Sequence, residues 1–321
     1  MANALLSADL LRRLEQFQLL AARRAKSSLK GERRSRARGQ SVEFADYRNY
    51  VAGDDLRYLD WNLYGRLDRL FLKLYEEERE LPVRIFLDGS ESMTFGTPAK
   101  FDFARQVAAA FGYVALCGFD RVSVNVFPNG ERGPRNPESP PPLPGANSKL
   151  ETQNSELAAR GALRSVRGKK SSLQFFQNLS TLSAGGPANF NEALRRGALE
   201  ARQTGLAVVL SDFLDPAGYE PGLNALVGRG FQVDVVQILA PEELTPTTFG
   251  DLRMVDSESG ATQEVTFGKF RLKAYQQSVQ NYVQRLREYC STHGINFFMA
   301  SSDTALEELL LKQLRAAEVV G

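Results

Sequence analysis

The sequence predicts an α/β fold built on a doubly wound, mostly parallel sheet, with a helical and extended segment before it. Three observations predict this fold. Short apolar runs of strand length alternate along the chain with segments whose apolar residues recur at helical spacing. One run, residues 206–212, is apolar until its last two residues, as in strands buried on both faces of a parallel sheet. Because helices separate the strands, right-handed crossovers with helices on both faces are expected.

The predicted strands follow one another between residues 83 and 300. After the first strand, Thr97 and Pro98 are expected to be the N-cap and first residue of a helix. A longer helix, with an apolar stripe from Tyr275 to Cys290, separates the last two strands. The predicted strands are, in order, 83–88, 122–127, 206–212, 231–239 and 295–300.

The chain divides into two parts at about residue 80. Residues 1–80 contain a basic arm, in which 5–22 are expected to be helical, and a segment rich in aromatic and charged side chains. Residues 81–321 form the α/β domain. An insertion at about 128–170 interrupts this domain with seven of the chain's 14 prolines, and it is expected to be an exposed, largely disordered loop.

The segment at 48–66 is expected to have a structural role. Arginine and carboxylate side chains form strong, directional pairs, and the single tryptophan of the chain lies among them. A position at the crevice or at a partner is the alternative. The predicted ion-pair network, packed around Trp61, consists of Arg48, Asp54, Arg57, Asp60 and Arg66.

Composition is that of an ordinary globular protein, with 43% hydrophobic and 24% charged residues. The single histidine, His293, stands before a glycine at the end of the long helix, which argues against histidine-based hydrolase schemes and histidine-rich zinc sites. No phosphate-binding Gly-x-x-x-x-Gly-Lys-Ser/Thr loop occurs.

Cys117 and Cys290 are expected to be buried thiols. Two buried thiols suit a reducing compartment. Because the sequence also shows no transmembrane segment and no secretory signal, it predicts a cytoplasmic protein.

The basic arm is the one strong charge asymmetry. The first 39 residues carry ten basic and three acidic side chains, whereas the whole chain has a formal charge of +2. Such an arm can bind nucleic acid or an anionic surface electrostatically. It lacks the interleaved aromatic residues that would stack on bases, so nucleic-acid binding is not favoured.

Oxygen-bearing side chains follow two of the predicted strands. Asp88, Ser90 and Ser92 form a tight loop at the end of the first strand, and Asp212 ends the apolar run at 206–212. In an open α/β sheet the ends of neighbouring strands form the usual binding crevice. Carboxylate and hydroxyl oxygens in this arrangement suit Mg²⁺, or Mn²⁺, as the metal ion. Each of these side chains could instead cap the turn after its strand.

The Asp-x-Ser-x-Ser loop with a later Ser-Asp pair resembles the metal-ion-dependent adhesion site of von Willebrand factor A domains. More specifically, the segment from Gly39 to Gly96 resembles the bacterial domain of unknown function 58 family. The similarity rests on Gly39 to Phe44, Tyr47-Arg48-Asn49-Tyr50, Gly53-Asp54-Asp55-Leu56-Arg57, Asp60-Trp61, Arg66, Lys73 to Glu80, and the Asp88 to Met93 loop. The resemblance implies a von Willebrand factor A-like, Rossmann-like fold. It also implies a protein partner, a MoxR-type AAA+ ATPase, because such proteins are often encoded beside these ATPases.

One position departs from the adhesion-site pattern. The pattern has a threonine after a glycine-rich turn, and here Ala188 follows Gly185-Gly186-Pro187. Alanine offers no oxygen, so an occupied and an empty metal site both remain open. Asn189 is expected to cap the next helix in a capping box with Glu192, although its amide could replace the missing hydroxyl.

The sequence therefore predicts a non-enzymatic interaction module that binds an acidic partner group through a divalent metal held by Asp88, Ser90, Ser92 and Asp212. Two alternatives stay open. One is a Mg²⁺-dependent phosphohydrolase that uses Asp88 as its nucleophile, although the acid expected two residues later is Ser90. The other is nucleic-acid or anionic-surface binding through the basic arm.

Overall fold

A computed structural model describes residues 5–17, 42–51, 53–77, 80–128, 162–187, 189–246, 250–255, 262–267 and 269–310. The chain forms two compact units, residues 24–80 and residues 1–23 together with 81–321. The division of the sequence at residue 80 into separately folding domains stays a prediction.

The structure contains ten strands within the described residues. They are β1 (Val42–Asn49), β2 (Phe71–Glu77), β3 (Pro82–Asp88), β4 (Arg121–Phe127), β5 (Ala162–Arg167), β6 (Leu206–Ser211), β7 (Gln232–Leu239), β8 (Gly250–Val255), β9 (Thr262–Phe267) and β10 (Asn296–Ser301). The α-helices of the same residues are α1 (Ala8–Leu14), α2 (Trp61–Leu67), α3 (Lys100–Cys117), α4 (Ser172–Ser180), α5 (Phe190–Glu200), α6 (Glu220–Arg229), α7 (Pro241–Leu244), α8 (Lys269–Thr292) and α9 (Leu306–Glu308).

The larger unit is built on a six-stranded sheet in the order β10-β7-β6-β3-β4-β5. Five of its strands are parallel, and β5 pairs antiparallel with β4. The predicted α/β class with a mostly parallel sheet is confirmed. All six residues of β6 are buried, because helices cover both faces of the central strands.

Two hydrophobic clusters fill the space between the sheet and its helices. One joins the sheet to α1, α3 and α4, and the other joins it to α5, α6 and α8. Close approach of α5 to β3 depends on Gly197, because a Cβ there would lie 2.3 Å from the ring of Phe86. The helices are thus held tightly against the strands whose ends carry the predicted site.

The smaller unit contains the antiparallel pair β1–β2 and helix α2. Asp60 caps α2 by accepting bonds from the backbone N–H groups of Asn62 and Leu63. The expected packing of the ion-pair network around Trp61 is wrong, since this residue is 64% exposed. Of the predicted members, Arg48 and Asp54 do pair, at 2.8 Å, whereas Arg57 pairs with its neighbour Asp55 at 2.7 Å.

Three further expectations need correction. Helix α3 begins at Lys100 rather than at Pro98, because its N-cap position is Ala99 and no side chain caps it. The insertion ends earlier than predicted: residues 162–167 form β5, while the expected disorder of 129–161 lies outside the described residues. Cys117 is only partly buried, although Cys290 is fully buried and both thiols are free.

The amino-terminal helix is described only in part. Helix α1 covers Ala8–Leu14, with Leu10 and Leu14 in the core of the larger unit. The predicted continuation over 18–22 lies outside the described residues. In the part of the chain that the structure describes, no helix is long and apolar enough to cross a membrane.

Candidate functional site

The predicted site residues lie at the carboxyl edge of the sheet, where β3 and β6 are neighbours. The chain runs from β3 to β4 on one side and reaches β6 on the other side, so the strand order changes direction at this point. Such a switch leaves a crevice between the loops that follow the two strands. Asp88 ends β3 and Asp212 follows β6, which brings two distant segments to this crevice.

Asp88 is held in place from both of its oxygens. Its Oδ1 accepts a 2.9 Å bond from the backbone N–H of Ser90, and its Oδ2 accepts a 2.5 Å bond from the hydroxyl of Ser211. The side chain is only 3% exposed. The loop is also held to the end of β4, since Gly89 N–H donates to the carbonyl of Phe127 at 2.6 Å. The carboxylate therefore has a defined orientation before any ligand arrives.

A chain of hydroxyl contacts leads from this loop to the second carboxylate. The Ser92 hydroxyl donates to Asp212 Oδ2 at 2.8 Å, and the Ser90 and Ser92 hydroxyl oxygens are 3.1 Å apart. The structure thus brings together all four residues predicted from the sequence, namely Asp88, Ser90, Ser92 and Asp212.

The backbone after Asp212 turns sharply. Phe213 has a φ of +62°, in the left-handed region that bulky residues rarely adopt. Its N–H donates to the Ser211 hydroxyl at 2.9 Å, and its carbonyl accepts a bond from the hydroxyl of Tyr282. Uncommon backbone conformations persist where surrounding contacts hold them, and they cluster at functional sites. Here the turn keeps both Ser211 and Asp212 directed at the crevice.

Sequence analysis missed the cation at this site, Lys100. Its side chain is 1% exposed, and its ammonium donates to Asp212 Oδ2 at 2.7 Å and to Glu243 Oε1 at 2.7 Å. Glu243 is itself positioned by the backbone N–H of Ala240, which donates to its other oxygen at 2.7 Å. We refer to Asp88, Ser90, Ser92, Lys100, Ser211, Asp212 and Glu243 as the carboxyl-edge site.

Burial and charge shift two pKa values in this site. Burial, reinforced by the nearby charge of Asp212, raises the pKa of Asp88 to about 7, although bonds from Ser211 and Ser90 oppose the shift. Burial alone would lower the pKa of Lys100. Attraction to Asp212 and Glu243 outweighs burial, so that the pKa of Lys100 lies above its ordinary value. The lysine is therefore a permanent positive charge near neutral pH.

The glycine-rich turn packs onto the Asp88 loop. Gly185 N–H donates to the carbonyl of Gly89 at 2.7 Å, and Glu91 N–H donates to the carbonyl of Gly186 at 2.9 Å. A third segment of the chain therefore reaches the crevice. Ala188, the position that departs from the adhesion-site pattern, lies outside the described residues.

The predicted capping role of the Asn189 side chain is wrong. Asn189 precedes α5, but its side chain makes no capping bond, and its buried Oδ1 has no hydrogen-bond partner among the described residues. Asp215 supplies a bond to the start of the helix instead, because its Oδ2 accepts the N–H of Phe190 at 3.2 Å. A residue on the loop after β6 thus helps to hold the start of α5.

The donor set fits a small divalent ion by its chemistry. Mg²⁺ and Mn²⁺ prefer carboxylate, hydroxyl and water oxygens, and Asp88, Ser90, Ser92 and Asp212 offer these in one place. No group of three or more His, Cys, Asp or Glu side chains suited to a metal occurs within the described residues, so the serines are needed to complete such a shell. The ammonium on Asp212 indicates that this place stabilises positive charge.

Comparison with known families gives one match that covers most of the chain. The model of the family described as "Protein of unknown function DUF58" matches residues 46–138 and 156–285. Relatives include the uncharacterized proteins Mb1516 of Mycobacterium bovis and Rv1480 of Mycobacterium tuberculosis. Each is 27% identical over 254 residues, which span 78% of this chain and 72% of the relative.

Two solved structures are distantly similar to the chain. They are the conserved hypothetical protein BatB from Bacteroides thetaiotaomicron (TM-score 0.38, 12% identity) and an aerotolerance-related membrane protein from Bacteroides fragilis with multiple mutations to serines (TM-score 0.37, 13% identity). Each comparison covers 74% of this chain and 98% of the other.

Proposed function

Because the chain belongs to the DUF58 family of proteins of unknown function, we propose a function from the geometry of its own carboxyl-edge site. The protein is a non-enzymatic, von Willebrand factor A-like interaction module that captures an acidic group of a partner protein. The observation that carries this proposal is the convergence of Asp88, Ser90, Ser92 and Asp212, which come from two segments more than 110 residues apart in the sequence.

The four oxygen-bearing side chains would hold a Mg²⁺ or Mn²⁺ ion. Bound there, the ion would supply a positive charge and an open coordination position for a carboxylate of the partner. The chain's own residues fix the geometry: Ser211 and the Ser90 N–H orient Asp88, and Ser92 orients Asp212. This fixed arrangement provides specificity, since a partner must present its acid at one position.

Two features support a binding role over the phosphohydrolase alternative. Both oxygens of Asp88 accept hydrogen bonds and the side chain is 3% exposed, whereas a nucleophile must reach the phosphorus of its substrate. The position two residues later, where an acid would protonate the leaving group, is Ser90. The basic arm lies largely in residues 18–41, outside the described part of the chain, so this alternative stays a prediction.

The proposed partner is a MoxR-type AAA+ ATPase of the same cytoplasm. Capture of this purified ATPase by the full chain is measured in MgCl₂ and in EDTA. We expect capture in MgCl₂, loss of capture in EDTA, and loss in Asp88→Ala. The control is Asp120→Ala, which removes another buried aspartate, one that accepts the Leu81 N–H at the opposite edge of the sheet.

Circular dichroism and thermal unfolding are used to test that both variants fold. Equal capture by wild type and Asp88→Ala would contradict the metal-dependent proposal. Trapping of an acyl-phosphate on Asp88, or hydrolysis of a phosphate ester that Asp88→Ala abolishes, would instead support the phosphohydrolase.

A further inference from the structure

Lys100 occupies a position that its chemistry makes unusual. Lysine is among the residues least often fully buried, because its ammonium is strongly hydrated in water. Here it is 1% exposed at the first residue of α3. Its ammonium contacts oxygens from the ends of two other strands, Asp212 after β6 and Glu243 after β7. The fold therefore brings a cation to the centre of the carboxyl-edge site.

The contact with Asp212 uses the same oxygen that belongs to the predicted ligand set. Asp212 Oδ2 accepts bonds both from Lys100, at 2.7 Å, and from the Ser92 hydroxyl, at 2.8 Å. A divalent ion that shared this carboxylate would lie close to the ammonium, and two positive charges in a buried place repel each other strongly. The ion and the lysine cannot both hold Asp212 at full strength.

Glu243 offers the lysine a second anionic partner. Its Oε1 accepts from Lys100 at 2.7 Å, while its Oε2 is held by the Ala240 N–H at 2.7 Å. Because the backbone fixes this carboxylate, it stays in place when Asp212 changes its ligand. Glu243 is 16% exposed at its side chain, against 3% for Asp212, so it lies nearer to solvent.

We propose that Lys100 is a built-in competitor that contends with the divalent ion for Asp212. When the ion is absent, Lys100 bonds to both Asp212 and Glu243. When the ion is bound, Lys100 keeps only its bond to Glu243. This inference rests on the proposed function, since it concerns the same site. It implies that the free protein binds the ion weakly and that a partner's carboxylate strengthens binding by completing the shell. Binding of the ion and binding of the partner then strengthen each other, so occupancy of the site by the ion is coupled to capture of the partner.

The test is titration of MnCl₂ and MgCl₂ into the full chain, followed by calorimetry and by the electron paramagnetic resonance of free Mn²⁺. Lys100→Gln keeps a hydrogen-bond donor for Asp212 but removes the charge, and we expect it to bind both ions at least about tenfold more tightly than wild type. Glu243→Gln removes the second partner of the lysine, and we expect it to bind the ions more weakly. Lys169→Gln is the matched control. This exposed lysine lies away from the site, and its ammonium is 2.8 Å from a carboxylate oxygen of Glu15.

The outcomes separate this inference from the function on which it rests. Equal ion affinity in wild type and Lys100→Gln would overturn the competitor role and leave the metal site standing. Absence of binding in both proteins at millimolar ion would overturn the metal site and the competitor with it. If Lys100→Gln does not fold, nitrogen-15 NMR of the lysine side chains in wild type decides: a change in the Lys100 resonance on saturation with Mg²⁺ supports the proposal, and an unchanged resonance overturns it.

Discussion

The carboxyl-edge site and a cavity at the amino edge of the six-stranded sheet hold charge in opposite ways. At the carboxyl edge, Asp88, Lys100 and Asp212 are each no more than 3% exposed and bond to partners between 2.5 and 3.1 Å away. At the amino edge, charged side chains line an open cavity of about 540 Å³, formed by Pro82, Val83, Arg84, Arg121, Ser123, Ser165, Glu200, Arg202 and Gln203. We call it the amino-edge cavity.

This contrast locates the part of the fold that can hold a fixed site. Helices and loops from several strands close over the carboxyl edge, so charges there are desolvated and must be paired. In the amino-edge cavity, Glu200 and Arg202 are exposed, and water screens their charges. Burial also lowers the pKa of the half-buried Arg84, although Glu200 opposes that shift. Geometry that is set before a ligand arrives is found at the carboxyl edge.

The largest predicted effect of a substitution comes from breaking the buried network. Asp212→Asn leaves the buried ammonium of Lys100 with Glu243 as its remaining anionic partner, and removal of one member of a buried ion pair destabilises a protein strongly. We expect the free energy of unfolding to fall by about 3 kcal/mol, measured by urea denaturation. Glu200→Gln, in the amino-edge cavity, is the control and should change it by less than about 0.5 kcal/mol. Equal effects of the two substitutions would contradict the contrast between the edges.

The second prediction concerns the dependence of stability on pH. The pKa of Asp88 is raised from 3.8 to about 7 by burial and by the charge of Asp212. The folded state therefore binds a proton more tightly than the unfolded state, so the stabilisation is complete below pH 4 and is lost as the pH rises through 7. Between these two pKa values the loss is about 1.4 kcal/mol per pH unit, which amounts to roughly 4 kcal/mol.

Urea denaturation in EDTA between pH 4 and pH 8 measures this dependence. Asp88→Asn has no titrating carboxyl group at this position. Its free energy of unfolding should therefore fall less than that of wild type as the pH rises. An identical pH dependence in the two proteins would show that Asp88 does not titrate in this range.

Much of the fold could be predicted because apolar periodicity is local. The run predicted at 83–88 is β3 at Pro82–Asp88, and that at 206–212 is β6 at Leu206–Ser211. The edge strand β5 was missed, since its sequence ALRSVR follows a proline-rich stretch and carries two arginines. Its pairing with β4 is a long-range contact that composition does not encode.

The candidate site shows the same division between local and long-range information. Asp88, Ser90 and Ser92 share one loop, and Asp212 ends an apolar strand, so their positions could be inferred from the sequence. Lys100 could not. At the start of an amphipathic helix a lysine usually faces solvent, and its partners Asp212 and Glu243 are 112 and 143 residues away in the sequence. One hint was available, because Lys100 begins a helix whose later residues AAAFGYVAL are small and apolar, as in a buried helix.

The most direct test of the account is anomalous X-ray scattering from crystals of the full chain soaked in MnCl₂. We expect a manganese peak among the oxygens of Asp88, Ser90, Ser92 and Asp212, with the Lys100 ammonium moved from Asp212 and retained by Glu243. Absence of any manganese at this place, both in wild type and in Lys100→Gln, would contradict the account.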